Sequence, residues 1–264
     1  MPTSARRARV ERSRRVVLAS TIRLGKLPPK ADPRTLRLAT YIEKRKLPKI
    51  PQAHNLSKRT LQAFPHLGMM ANDNLGDCTC AALGHAFQTW TAYGGKPWRP
   101  TDSQVIEAYN RVNGGVDEGA AMLDVLKMAR SVGIGGNKID AFVAIDPMNH
   151  DQVRTAHFLF GGLYVGANLP TSAQDQLDKG EWFLTTGNGS EPGSWGGHAF
   201  NIVNTSKRGL TCVTWGTLQK MTWDWWDRYV DESYAVLEHD YLGDDNRSPQ
   251  GFSFEKLKRD LGAL

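Results

Sequence analysis

Two residues of this chain, Cys78 and His198, have the types and the surroundings for nucleophilic chemistry. Cys78 closes the polar, turn-prone run Asn72-Asp73-Asn74-Leu75-Gly76-Asp77 and opens an apolar stretch. In that stretch Leu83, Phe87 and Trp90 share one helical face until Gly94-Gly95 stops the helix. A cysteine at a helix N-terminus meets unpaired backbone N–H groups and the positive end of the macrodipole, and both favour a thiolate. Asp77 beside it opposes ionisation unless its charge points away. His198 follows the glycine-rich Gly193-Ser194-Trp195-Gly196-Gly197 and begins an alternating run, which places it at the start of a strand facing a loop-lined cleft. An imidazole there can take a thiol proton, and the thiolate can then attack a carbonyl. Free cysteine is also a common packing residue, so Cys78 has a purely structural alternative.

The order of these segments resembles the papain-like cysteine peptidases. Leu75-Gly76-Asp77-Cys78 is similar to the nucleophile segment of the calpain branch, and the helix behind it to the family's central helix. Gly197-His198-Ala199 is similar to the strand start carrying the general base. Trp215-Gly216 is similar to the Asn-Ser-Trp-Gly segment whose Asn orients that base. The resemblance spans about Asn72 to Leu237. It implies an α+β fold, a helical subdomain with the cysteine-bearing helix at its centre, packed on an antiparallel sheet or barrel subdomain. It also implies an oxyanion donor six residues before the nucleophile. That position is Asn72 if Cys78 attacks and Asn74 if Cys80 does, each one methylene shorter than the family's glutamine. The chain departs from the pattern where the orienting Asn should stand, two residues before the Trp. Val213 is there, and valine accepts no hydrogen bond. Thr214 is expected on the opposite face of the strand, which leaves Asn204 and Asp224 as other polar candidates.

The elements that must position these groups are legible from caps and periodicity. Thr101-Asp102-Ser103-Gln104 has capping-box spacing ahead of Val105, Tyr109 and Val112, and Asn113-Gly114-Gly115 ends that helix. Met122, Val125, Leu126, Ala129 and Val132 make a second amphipathic helix closed by Gly133. Ile139–Ile145 alternates as a strand, Asn149 to Phe160 reads as a capped helix, and Leu163–Ala167 as another strand. Residues 171–196 read as a long loop. His198–Val203, Leu210–Trp215 and Tyr234–Leu237 supply further short strands. Helices first and an antiparallel sheet second is an α+β pattern. Trp195, Trp215, Trp223, Trp225 and Trp226 are expected in the core and the cleft wall. A Cys78-Cys80-His85 zinc site would lack a fourth ligand at familiar spacing, so no metal or other cofactor is expected.

Charge divides the chain. The first 60 residues hold 17 of the 33 basic residues and 3 of the 27 acidic ones, so the basic pI belongs to an N-terminal arm and the remainder is acidic. The expected organisation is an arm over 1–60, a domain over 61–240 and a tail over 241–264. Prolines interrupt the arm, and Thr35 to Ile42 allows two helical turns. Three readings follow for it: a solvated tail, a propeptide filling the cleft, or an anchor on an acidic partner, nucleic acid included. Leu24, Leu27, Leu36, Leu38, Tyr41, Ile42 and Leu47 would anchor it to neighbouring subunits or back on its own domain. Three cysteines make no disulfide framework, and neither a signal peptide nor a membrane partner is expected. A reducing cytosol, or a particle assembled there, fits. Two functions remain: a cysteine peptidase or related thiol acyl-hydrolase acting on peptides, or a non-enzymatic structural protein of a large assembly such as a virus or phage virion.

Overall fold

A computed structural model describes residues 22–42, 48–241 and 248–249. The arginine-rich start (Arg6, Arg7, Arg9, Arg12, Arg14 and Arg15), Leu47, the side chains of Tyr41 and Ile42, and most of the expected tail lie outside the described residues. In chain order, α1 (Leu38–Ile42), β1 (His54–Asn55) and α2 (Ser57–Ala63) lead to α3 (Cys78–Gly94), α4 (Asp102–Asn113) and α5 (Met122–Ser131). Then follow β2 (Ala141–Ile145), α6 (His150–Phe160), β3 (Leu163–Leu169), α7 (Ser172–Leu177) and β4 (Glu181–Trp182). The chain closes with β5 (Gly196–Thr205), β6 (Gly209–Thr214), β7 (Thr217–Thr222), α8 (Trp223–Tyr229) and β8 (Val230–Leu237).

The helix boundaries follow their local chemistry. The Thr101 hydroxyl accepts from Gln104 N and the Gln104 side chain accepts from Thr101 N, a complete capping box for α4. Asn149 caps α6 through Gln152 N, and Gly95 and Gly114 end α3 and α4 in the left-handed conformation. Fifteen of the seventeen residues of α3 are buried, as a helix enclosed on all sides must be. Several of its polar side chains are satisfied inside: Thr89 and Thr91 donate to carbonyls one turn back, and Gln88 donates to Leu67 O.

The strands form one sheet, ordered β2-β8-β3-β5-β6-β7-β4, with β1 beside β5. Every pairing is antiparallel except β4 with β7. One face packs on α3, α4 and α5 around Phe87, Trp90, Tyr109 and Leu126. The other carries Trp182, Phe200, Trp225 and Trp226 with Val153 and Phe160 of α6. Trp90 Nε1 donates to Phe160 O at 3.1 Å and Tyr164 OH to Thr79 O at 3.0 Å, so buried polar groups also tie α3 to its surroundings. No helix among the described residues is long and apolar enough to cross a membrane.

Four elements after residue 170 were not anticipated. The expected loop 171–196 contains α7 and β4, and residues 217–229 form β7 and α8. Short polar segments such as Ser172–Leu177 carry no periodicity of their own. Here Trp182, whose Nε1 donates to Ala173 O, fixes them by long-range packing.

Candidate active site

The nucleophile turn is braced before it reaches Cys78. Asn72 is buried, and its Nδ2 donates to Leu75 O at 3.0 Å. Asp117 Oδ1 accepts from Gly76 N at 2.9 Å and from Tyr109 OH at 2.7 Å, which in turn accepts from Gly119 N. Asp117 and Tyr109 therefore set the entry to α3, a role with no local sequence signal because 41 residues separate Asp117 from Gly76. Asp77, the N-cap of α3, makes no side-chain capping bond, and burial pushes its carboxyl up to about 8. At neutral pH it is mostly protonated, and its ionised form raises the Cys78 thiol. Asn74 is exposed, with its amide on Asp73 Oδ1.

Cys78 begins α3 beneath β5. The backbone amides of Ala199 and Gly25 face its sulfur and favour the thiolate, as does the nearby Lys26. Burial outweighs them and pushes the thiol up to about 12. Cys80 and Cys212 are equally enclosed, and burial pushes both thiols well above the ordinary value.

His198 lies on the face of β5 that also carries Phe200 and Ile202. The register pairs Ile202 with Cys212 and Asn201 with Val213, so Thr214, not Val213, shares the histidine's face. Thr214 Oγ1 stands 2.6 Å from His198 Nε2. The expectation that Thr214 points away is therefore corrected: period-two alternation carries it to the imidazole, and Val213 turns into a small apolar cluster with Leu56, Leu67 and Val203. Asn204 instead accepts from the amides of Leu56 and Ser57 at the start of α2, and Asp224 is exposed. Trp215 stacks on the His198 ring at 4.1 Å and 16°. It can do so because Trp215 and Gly216 both adopt positive φ (45° and 69°) in the tight β6–β7 turn. His198 Nδ1 is buried with no hydrogen-bond partner, and burial lowers the imidazole to about 3.

The space over Cys78 is filled by the chain itself. Arg23 N donates to Asn72 O (2.9 Å), Trp215 Nε1 to Arg23 O (3.2 Å), and the Gly25 and Lys26 amides to Gly197 O (3.2 and 3.1 Å). Ala120 completes the seat, donating to Gly25 O and accepting from Leu27 N. Arm residues 22–27 thus bond the wall before Cys78 and the wall that carries His198 at once. Leu24 packs on Gly196, Leu36 and Leu38 join the core, and Leu27 stays exposed. Further on, Lys30 pairs with Asp124 and Lys127 with Asp32.

No family model and no curated protein matches the sequence. Solved structures do. Xylellain, a cysteine protease from Xylella fastidiosa, superposes with a TM-score of 0.64 at 14% identity, over 83% of this chain and 97% of that one. The proform of the ragweed pollen cysteine protease Amb a 11 gives 0.58 at 14% identity, over 85% and 78%. A procathepsin B from Trypanosoma congolense gives 0.56 at 8% identity, over 85% and 89%. The fold is papain-like.

Within this papain-like fold the cysteine opens the central helix and the histidine opens the long strand beside it. Thr214 occupies the place at Nε2 that the sequence pattern had left without an acceptor. Thr214 Oγ1 can accept from Nε2–H, the tautomer that leaves Nδ1 free to take a proton. Thr214→Val should leave His198 Nε2 without its partner inside the fold and cost about 1–3 kcal/mol of stability, while Thr214→Ser retains most of it. Equal melting temperatures for the two variants would remove Thr214 from this role. No group of three or more His, Cys, Asp or Glu among the described residues could hold a metal ion.

Proposed function

We propose that the chain is a papain-like thiol acyl-hydrolase acting on peptide bonds, held at rest by residues 22–27 of its own arm. The observation that carries this is Gly25. Its amide faces the Cys78 sulfur beside the strand of His198, so the arm occupies the place of a substrate. The sulfur meets an N–H, not a carbonyl carbon, and the carbonyls of Arg23 and Gly25 are bonded to Trp215 and Ala120. That is not an attack geometry, so the segment blocks and is not cut. Two of the similar structures are themselves pro-forms.

With the arm away and water admitted, the Cys78 proton passes to His198 Nδ1 and the thiolate adds to the substrate carbonyl. The Cys78 backbone N–H, one of the helix-start amides without an intrahelical partner, holds the oxyanion. The Asn72 amide, turned from Leu75, is the second donor. Collapse expels the amine with the proton from His198 and leaves a thioester, which water hydrolyses to acid and free thiol.

The test is a protease assay on arm-displaced protein with a mixed peptide library, read by mass spectrometry. Cleavage that disappears in Cys78→Ala and in His198→Ala supports the proposal. A displaced, folded protein that cleaves nothing overturns it and leaves the non-enzymatic reading, a domain serving an assembly.

A further inference from the structure

Lys26 of the arm reaches into the domain. Its side chain is wholly buried, with Nζ 2.8 Å from Asp231 Oδ2 and 3.3 Å from Glu232 Oε1. Both carboxylates are held from behind: Asn168 Nδ2 donates to Asp231 Oδ2 at 3.0 Å and Tyr234 OH to Glu232 Oε2 at 3.1 Å. The stem of the lysine passes over Gly166 in the middle of β3. A Cβ there would overlap Lys26 Cε and come within 2.6 Å of Met122 Sδ. Glycine inside a strand weakens it and marks a close approach, and here what approaches is an alkyl chain bearing a cation.

Burying one ammonium costs several kcal/mol unless it is paired. This pocket supplies two carboxylates for a single cation and leaves Asp231 Oδ1 buried without a partner. It remains acidic even when filled, and with Lys26 gone it faces the cleft with two acidic groups. Lys26 is also the immediate neighbour of Gly25, so the pocket lies one residue from the reacting sulfur.

We propose that the pocket formed by Asp231, Glu232, Asn168 and Gly166 is a specificity subsite for a lysine or arginine side chain of the substrate, which Lys26 fills at rest. This rests on the peptidase reading above. The arm then acts as a mimic at the side-chain level, while its backbone withholds a carbonyl from the thiol.

The test uses the full chain carrying Gly25→Ala and Lys26→Ala. Fluorogenic capped dipeptide amides X-Gly are compared, with X lysine, arginine, leucine or glutamate. Lysine and arginine should exceed leucine at least tenfold in kcat/KM, with glutamate lowest. Asp231→Asn with Glu232→Gln should erase the preference by lowering the lysine and arginine rates at least tenfold, and Asp231→Asn alone should reduce it if the double variant does not fold. Cleavage of all four peptides with leucine equal or better overturns the subsite and leaves the peptidase reading standing. If none is cleaved, the peptidase reading fails, and the subsite is read by protection of Cys78 from iodoacetamide. Protection by Lys-Gly tenfold better than by Leu-Gly upholds it, and equal protection overturns it.

Discussion

Gly25→Ala should raise the alkylation rate of Cys78 about a hundredfold at neutral pH. A methyl group on Gly25 would overlap the Gly76 carbonyl oxygen, and backbone has no rotamer with which to give way. The segment must therefore lift, which returns water to the cleft. A thiol held near 12 by burial then falls towards the ordinary value of about 9. The thiolate fraction gains roughly a thousandfold, and about half of that logarithmic gain is given back through lower intrinsic nucleophilicity. Better access adds to the remainder. Cys80 and Cys212 stay in the core and serve as internal controls. Iodoacetamide labelling followed by peptide mass spectrometry reads the result. Lys26→Glu should do the same by placing a third negative charge beside Asp231 and Glu232. Unchanged labelling in both variants would show that the arm does not control the thiol.

Acid should destabilise the fold by at least about 3 kcal/mol between pH 7 and pH 5. His85, His157 and His198 are buried, and burial lowers all three, His85 to about 4 and His198 to about 3. A histidine depressed in the folded state contributes stability above its unfolded value near 6.5, and that contribution is lost as pH falls towards the folded value. At pH 5 His85 and His198 each cost about 2 kcal/mol, as does the half-buried His54, lowered to about 4 by burial, because the unfolded chain takes up the proton and the folded one does not; His157 acts in the same sense. Asp77 works in the opposite sense. Raised to about 8, it is protonated in the fold, and it returns about 2.5 kcal/mol over the same interval. The net loss should lower Tm by roughly 5–10 °C. Calorimetry at pH 7, 6 and 5 checks it, and His157→Gln should shrink the drop. A melting temperature flat across that range would mean that these rings are hydrated in solution.

What was legible in the sequence was what is decided locally. The capping box at Thr101, the Asn149 cap, and the glycines after α3 and α4 act within a turn of the residues that signal them, so those helices stand where the residues place them. That Cys78 opens a helix and His198 lies near the start of a strand was legible because the periodicity of each element is plain. Thr214 was misjudged because facing depends on the β5–β6 register, which the β-bulge near Ile202 and Asn204 helps to set and which periodicity within one strand cannot supply. The course of the arm was the hardest to read. Lys26 meets Asp231 across 205 positions and Arg23 meets Trp215 across 192, and a basic, proline-broken stretch carries no mark of where its partners lie.

Where the arm crosses the cleft, four glycines meet backbone to backbone: a methyl on Gly25 would strike Gly76, one on Gly76 would strike Leu24 O, one on Gly119 would strike Gly25 O, and one on Gly197 would strike Lys26 O. Such a crossing cannot be exchanged piecemeal. An arm from another protein will dock here only if glycine falls in the same register, and a larger residue at any of these domain positions bars every such arm, however its charges match. Arm and domain must therefore be inherited, transplanted or redesigned together. A library of chimaeras should pass or fail on the residue at position 25 before any other.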